Sequence, residues 1–171
     1  MRFCGLFLLL SALTGCLGMP QGVRPVQDFD LQRYLGKWYE IARLDHAFER
    51  GLNRVSADYS MKADGSVRVL NSGYAAADGA WKEAEGTARF AAANDQGYLK
   101  VSFFGPFYAS YVVFELDPDY RYAFVAGNST DYLWLLARTP AVPNEVLQRF
   151  LERSGKLGFD TAGLIMVEQE Q

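Results

Sequence analysis

The sequence predicts an all-β protein, an eight-stranded antiparallel up-and-down barrel with a C-terminal α-helix packed on its outside. Three observations carry this. Segments of alternating apolar and polar residues recur along the chain, and they are rich in Tyr and Phe, which suit a pleated surface. Turn signals separate them at short intervals: Asp64-Gly65, Asp78-Gly79, the stretch 94–97 and Asp117-Pro118-Asp119. A single amphipathic helical stripe stands near the C-terminus. Eight short strands with such turns fit a sandwich or a barrel. No long crossover connection is visible, so a meander is expected, and a meander of eight closes into a barrel wide enough for one small ligand.

The first strand opens on Gly36-Lys37-Trp38-Tyr39-Glu40-Ile41-Ala42-Arg43. Gly36 suits a bend into the strand, and it leaves bare backbone where the Trp38 ring must tuck. In residues 54–62, Val55, Ala57, Tyr59 and Met61 share one face and polar residues the other. Residues 66–76 alternate less cleanly. In residues 81–90, Ala84, Gly86, Ala88 and Phe90 form a face small enough to leave space inside a curved sheet, opposite Glu83, Glu85, Thr87 and Arg89. Residues 98–104 alternate until Gly105-Pro106 ends the pairing, since proline has no N–H to give. Residues 110–116 and 121–127 form the next pair. Residues 132–138 are apolar on both faces, so a cover is expected on the outer one. Pro143 then suits a first helical turn, and Val146, Leu147, Phe150 and Leu151 make one helical face. Gly155 or Gly158 ends the helix. Its polar face, with Glu145, Gln148, Arg149 and Glu152, is expected to be solvated. Residues 164–167 read as a short closing strand.

The N-terminus reads as a targeting segment. Arg2 precedes a mostly apolar run over residues 3–13, too short for an ordinary membrane span, and small residues follow. Leu13-Thr14-Gly15-Cys16 resembles the bacterial lipobox, which implies cleavage before Cys16 and acylation of it; the alternative is an ordinary signal peptide with a chance cysteine. Two or more acyl chains hold a protein on a membrane stably. Residues 1–15 are thus expected to be a signal peptide, 16–30 a lipidated N-terminus and extended tether standing off the lipid, and 31–171 the barrel domain.

Composition narrows the function. A formal net charge of −3 gives no electrostatic reason to expect nucleic acid. Both cysteines, Cys4 and Cys16, precede the barrel, so it carries no internal disulfide and no cysteine-containing metal motif. No metal ligand set and no cofactor is indicated. Gly-x-Ser-x-Gly, phosphate-loop and His-Glu-x-x-His motifs are absent from the sequence, and no catalytic residue is assigned. His46 is the single histidine, expected in a loop as a solvated side chain.

The string from Leu35 through His46 resembles the signature of the lipocalins, and most of all the bacterial members. Two further motifs support it: Asp119-Tyr120 at the turn between the sixth and seventh strands, with Pro118 where the family often has Thr, and Arg138 ending the eighth strand. Ser102-Phe103-Phe104-Gly105-Pro106-Phe107-Tyr108 and residues 131–140 also look like bacterial outer-membrane lipocalins. The resemblance implies structural roles for Gly36, Trp38, Asp119, Tyr120 and Arg138, with Arg138 packing across Trp38 at the closed end. It implies a location at the bacterial outer membrane and a fatty acid or lysophospholipid ligand. Candidate lining residues are Tyr59, Phe103, Tyr108, Tyr111 and Trp134, and Arg43 or His46 is placed to meet a head group. Three functions follow for weighing: a tethered lipid-binding protein for storage or transport, an envelope-integrity barrel without a specific ligand, and a lipid-modifying enzyme. A homodimer is left open.

Overall fold

The computed structural model describes residues 17–169; Cys16 and the signal segment lie outside them. A single turn of helix, α1 (Leu31–Tyr34), leads into eight strands: β1 (Gly36–Arg43), β2 (Leu52–Met61), β3 (Val67–Ala75), β4 (Ala80–Phe90), β5 (Tyr98–Ser102), β6 (Ala109–Leu116), β7 (Tyr122–Ala126) and β8 (Leu133–Ala137). Helix α2 (Asn144–Lys156) and a two-residue strand β9 (Ile165–Met166) follow. Each strand pairs antiparallel with the next. β1 pairs with both β2 and β8, which closes the barrel, and β9 adds to the far end of β1. The loops after β1, β3, β5 and β7 therefore share one end, the mouth, and the turns after β2, β4 and β6 share the other.

Two apolar clusters form, one on each side of the wall. Inside stand Trp38, Tyr59, Val67, Val69, Ala88, Leu99, Val113, Val125 and Leu136. Outside, Phe114, Phe124, Leu133 and Leu135 pack under Val146 and Phe150 of α2. That is the cover which the two-sided apolar strand 132–138 required. Burial of these side chains contributes about 1.5–3 kcal/mol each. Gly158, at φ +86°, ends the helix. Arg149 is exposed, as expected, and its guanidinium also pairs with the buried Glu115 of β6, while Arg153 reaches the same carboxylate at 2.8 Å. A bulge between Val113 and Glu115 turns Glu115 outward to meet them.

One element goes beyond the sequence reading, and one expectation fails. α1 is a helical turn capped by Asp30, whose carboxylate accepts from the Gln32 N–H at 2.9 Å; one turn is too short to show a periodic pattern. Residues 17–30 are no free tether. Val23 is fully buried under α2, and Gly22 lies against Leu157. Val26 donates to the Val113 carbonyl, and Phe29 to that of Asp95. Val23, Val26 and Phe29 are spaced three apart, a pattern hidden among prolines and glycines that read as linker.

Candidate functional site

Trp38 seals the closed end. It is fully buried, stacks on Tyr34 with centroids 4.6 Å apart, and donates from Nε1 to the Tyr34 carbonyl at 2.8 Å. The Arg138 guanidinium lies 4.0 Å from the Trp38 ring and donates to the carbonyls of Lys37, Arg33 and Tyr120. A cation over a desolvated indole contributes about 1–2 kcal/mol. Gly36 holds φ +87°, and a side chain there would point at Nη1 of Arg138 from 3.5 Å. Tyr120, at φ +59°, accepts from the Asp30 N–H at its hydroxyl.

At the same end two carboxylates stand in the turn between β6 and β7. Asp119 points outward. Asp117 anchors the turn instead, accepting from the N–H groups of Asp119 and Arg121 and, at 2.8 Å each, from Nε and Nη2 of Arg121. Those bonds from Arg121 hold the Asp117 carboxyl below its ordinary value of 3.8. The group thus stabilises the fold above that value and loses its contribution on acidification. Asp117→Asn is expected to lower stability by about 2 kcal/mol at pH 7, since charge-assisted hydrogen bonds are the stronger kind. Its deficit relative to wild type should vanish in acid, as read by denaturant titration across pH.

Above the Trp38 floor three tyrosine hydroxyls meet inside the barrel. Tyr111 is 2.7 Å from Tyr34 and 3.0 Å from Tyr59. Burial, and then the neighbouring phenols, push Tyr34 and Tyr111 well above the usual tyrosine value, and burial raises Tyr59 too. All three stay neutral and available to hydrogen-bond. Tyr34 was not a sequence candidate, because it lies on the one-turn helix outside the strand pattern.

Toward the mouth the wall turns polar. A bulge after Glu40 puts Ile41 and Ala42 outward together and brings Arg43 back inside beside Glu40. Arg43 is 1 % exposed; its Nη1 donates to Glu40 Oε1 at 2.7 Å and its Nη2 to the carbonyls of Glu49 and Leu52. His46 is buried, not solvated, and its Nε2 makes a close, bent contact of 2.8 Å with Glu49 Oε2. Trp134 Nε1 donates to the same oxygen at 3.1 Å. Burial, then the charge of Glu49, raises Glu40 well above the usual glutamate range. Burial also opposes charge on Glu49, but its contacts with His46 and Trp134 outweigh that and hold it below the usual range. Arg43 and His46 are spent on bracing loop 44–51 and do not stand free for a head group.

Four of the five candidate lining residues face inward. Tyr59, Tyr111, Trp134 and Phe103 belong to or pack against the inner cluster. Phe103 lies on Gly86, where an added Cβ would come 2.9 Å from its ring, so part of the space expected at the small face is filled. Tyr108 is not inside: Lys100 sits 5.3 Å from its ring on the outer face, beside a polar-rimmed groove of about 370 Å³ that Glu85, Thr87 and Arg89 line. The ladder register puts Ala57, Asn71 and Ala84 on the inward side with Trp38. Ala57 and Asn71 are only half-buried and Ala84 is exposed, as is inward-facing Ala109. Inward residues that still touch solvent describe a cup open at the top and sealed below.

Comparison with known proteins agrees. A family model described as a lipocalin-like domain matches residues 29–169. The chain is 59 % identical to outer membrane lipoprotein Blc of Vibrio cholerae, covering 99 % of this chain and all of that one. It is 51 % identical to outer membrane lipoprotein Blc of Escherichia coli K12, over 88 % of this chain and 85 % of that one. Among solved structures, insecticyanin from the tobacco hornworm Manduca sexta superposes with a TM-score of 0.70 at 23 % identity, covering 90 % of this chain and 88 % of that one.

Proposed function

Because the chain belongs to the lipocalin family of hydrophobic-ligand-binding barrels, at the bacterial outer membrane, we propose that it holds the acyl chain of a fatty acid or lysophospholipid in its barrel, for lipid storage or transport in the envelope. In this reading Cys16 carries the acyl anchor. The observation that carries it is the open cup: inward-facing Ala57, Ala84 and Ala109 keep solvent contact above a floor sealed by Trp38 and Arg138. Small apolar groups around a hollow suit a hydrocarbon tail, and the Tyr34–Tyr59–Tyr111 hydroxyls offer a few oriented polar contacts. A carrier is favoured over an enzyme because His46, the single histidine of the sequence, faces the carboxylate of Glu49 and not a hydroxyl nucleophile.

The test is titration with a fluorescent fatty acid. Saturable one-to-one binding at micromolar ligand is expected. Ala84→Trp, which fills the hollow from an exposed position, should weaken binding about tenfold or more while leaving thermal stability within about 0.5 kcal/mol. Absence of saturation in the wild type would overturn the carrier and leave a barrel serving envelope integrity alone.

A further inference from the structure

The tyrosine group above the Trp38 floor holds one proton more than its own contacts use. Three hydroxyls make two contacts, Tyr34 with Tyr111 at 2.7 Å and Tyr59 with Tyr111 at 3.0 Å. Each contact takes one O–H, so in every arrangement of the protons one is left over. Among the described residues no other acceptor bonds to these hydroxyls. Burial raises all three phenols, so they stay neutral and the spare proton stays in place. A buried donor without a partner is costly.

The group borders the hollow. Tyr111 stands across the ladder from Leu99 of the inner cluster, so it faces inward. It is only half-buried, and an inward residue meets solvent through the cup. The field at this end is positive. Arg138 rests on Trp38, makes its hydrogen bonds to carbonyls alone, and its charge reaches the Tyr34 and Tyr59 hydroxyls. A donor backed by a cation suits an oxygen acceptor, and a saturated hydrocarbon end offers none.

We infer that the Tyr34–Tyr59–Tyr111 group is an acceptor-binding subsite at the bottom of the cup, which selects lipids whose buried end carries an oxygen. That oxygen has two sources: the carboxylate of a fatty acid that enters head first, or a hydroxyl at the far end of an oxidised acyl chain that enters tail first. The inference rests on the lipid-binding reading above and sharpens its ligand class. A chain without such an oxygen leaves the spare proton unmet and binds more weakly for it.

The test is competition against the fluorescent fatty acid, with the full-length acylated protein held in lipid nanodiscs. Partition into the disc is common to all variants and cancels between them. The competitors are palmitic acid, palmitoyl lysophosphatidylethanolamine and its ω-hydroxypalmitoyl counterpart. Removing the spare proton takes all three hydroxyls, because Tyr59→Phe alone leaves two hydroxyls, one contact and still one proton over. The triple variant Tyr34→Phe, Tyr59→Phe, Tyr111→Phe should fold, since replacing every partner of a buried polar set by apolar groups of like shape is close to neutral. It should bind palmitic acid or the hydroxylated lysolipid about fivefold more weakly than wild type does, the scale of one hydrogen bond. The plain lysolipid should bind it no more weakly, and Tyr59→Phe should keep the wild-type preference. Weakening of palmitic acid identifies the carboxylate, and weakening of the hydroxylated lysolipid the hydroxyl. Equal loss for all three competitors, or loss for none, overturns the inference. Wild type alone gives a second reading that does not depend on the variant folding. Either a carboxyl-labelled palmitic acid is shielded from a water-soluble gadolinium chelate, or the hydroxylated lysolipid outcompetes the plain one; neither result overturns the inference. Absence of saturable binding for every probe sinks the carrier reading and the inference together, whereas saturable binding without these preferences sinks the inference alone.

Discussion

Arg43→Met is expected to destabilise the protein by about 3–5 kcal/mol, since removing one partner of a buried ion pair strands the other. Arg43 is almost wholly buried and serves three acceptors at once: the Glu40 carboxyl and the carbonyls of Glu49 and Leu52. Methionine matches its stem but returns none of those donors. Loop 44–51 would lose its brace, and two buried glutamates would face each other without a cation. Urea unfolding should show a lowered midpoint. The double variant Glu40→Gln, Arg43→Met separates charge from hydrogen bonding: it should recover the part of the loss due to the stranded carboxylate, with the unmet carbonyls accounting for the rest. Full loss in the double variant would show that the pair's charge is irrelevant.

Glu40→Gln alone should behave in the opposite direction. Burial raises the folded Glu40 above its ordinary value of 4.5. An acid raised on folding contributes most at low pH, and its contribution is lost as pH climbs from the unfolded value toward the folded one. Glutamine keeps an acceptor for Arg43 and never ionises. Its stability relative to wild type should therefore improve as pH rises above 4.5. A flat difference across pH would mean that Glu40 is charged in the folded state.

Trp38→Ala is expected to cost about 3–5 kcal/mol, the range for emptying a large aromatic site in a packed core. The indole is at once the floor of the cup, the stacking partner of Tyr34 and the surface on which Arg138 rests. Its loss also removes the N–H that holds the Tyr34 carbonyl. Trp38→Phe should recover part of the loss, because a ring still fills the space while the N–H is missing. Calorimetric unfolding that leaves the alanine variant within 1 kcal/mol of wild type, well short of the cavity range, would mean that the floor is held by the backbone bonds of Arg138 and not by the ring beneath it.

Much of this molecule was legible in residues alone. Period-two alternation and Asp-Gly turns located the strands to within a few residues, because side chains on a pleated ladder face opposite ways and tight turns admit few residue types. The doubly apolar segment 132–138 announced the helix that covers it. The resemblance to the lipocalins put Gly36, Trp38, Tyr120 and Arg138 at the closed end, where Arg138 does lie over Trp38. What the sequence hid was set by contacts between distant positions. Residues 17–30 look like linker, yet they fill the seam between β6 and α2. Tyr34 joins Tyr59 and Tyr111 from outside the strand pattern. Asp117 anchors the turn beside Asp119 through bonds that the sequence did not announce.

The residue types and their spacing determined by themselves the all-β class, the closed meander and the outer helix, since each follows from local periodicity and from which side chains must leave water; the sealed end was implied by the resemblance to the lipocalins. Only the tertiary structure decided the interior. A bulge after Glu40 turned Arg43 inward, Phe103 took the space at Gly86, Tyr108 went to the outer face, and the N-terminal segment packed onto the outer wall. The physical reason is that strand parity is a local property, whereas a bulge's position and the partner across a cavity depend on how the whole sheet closes.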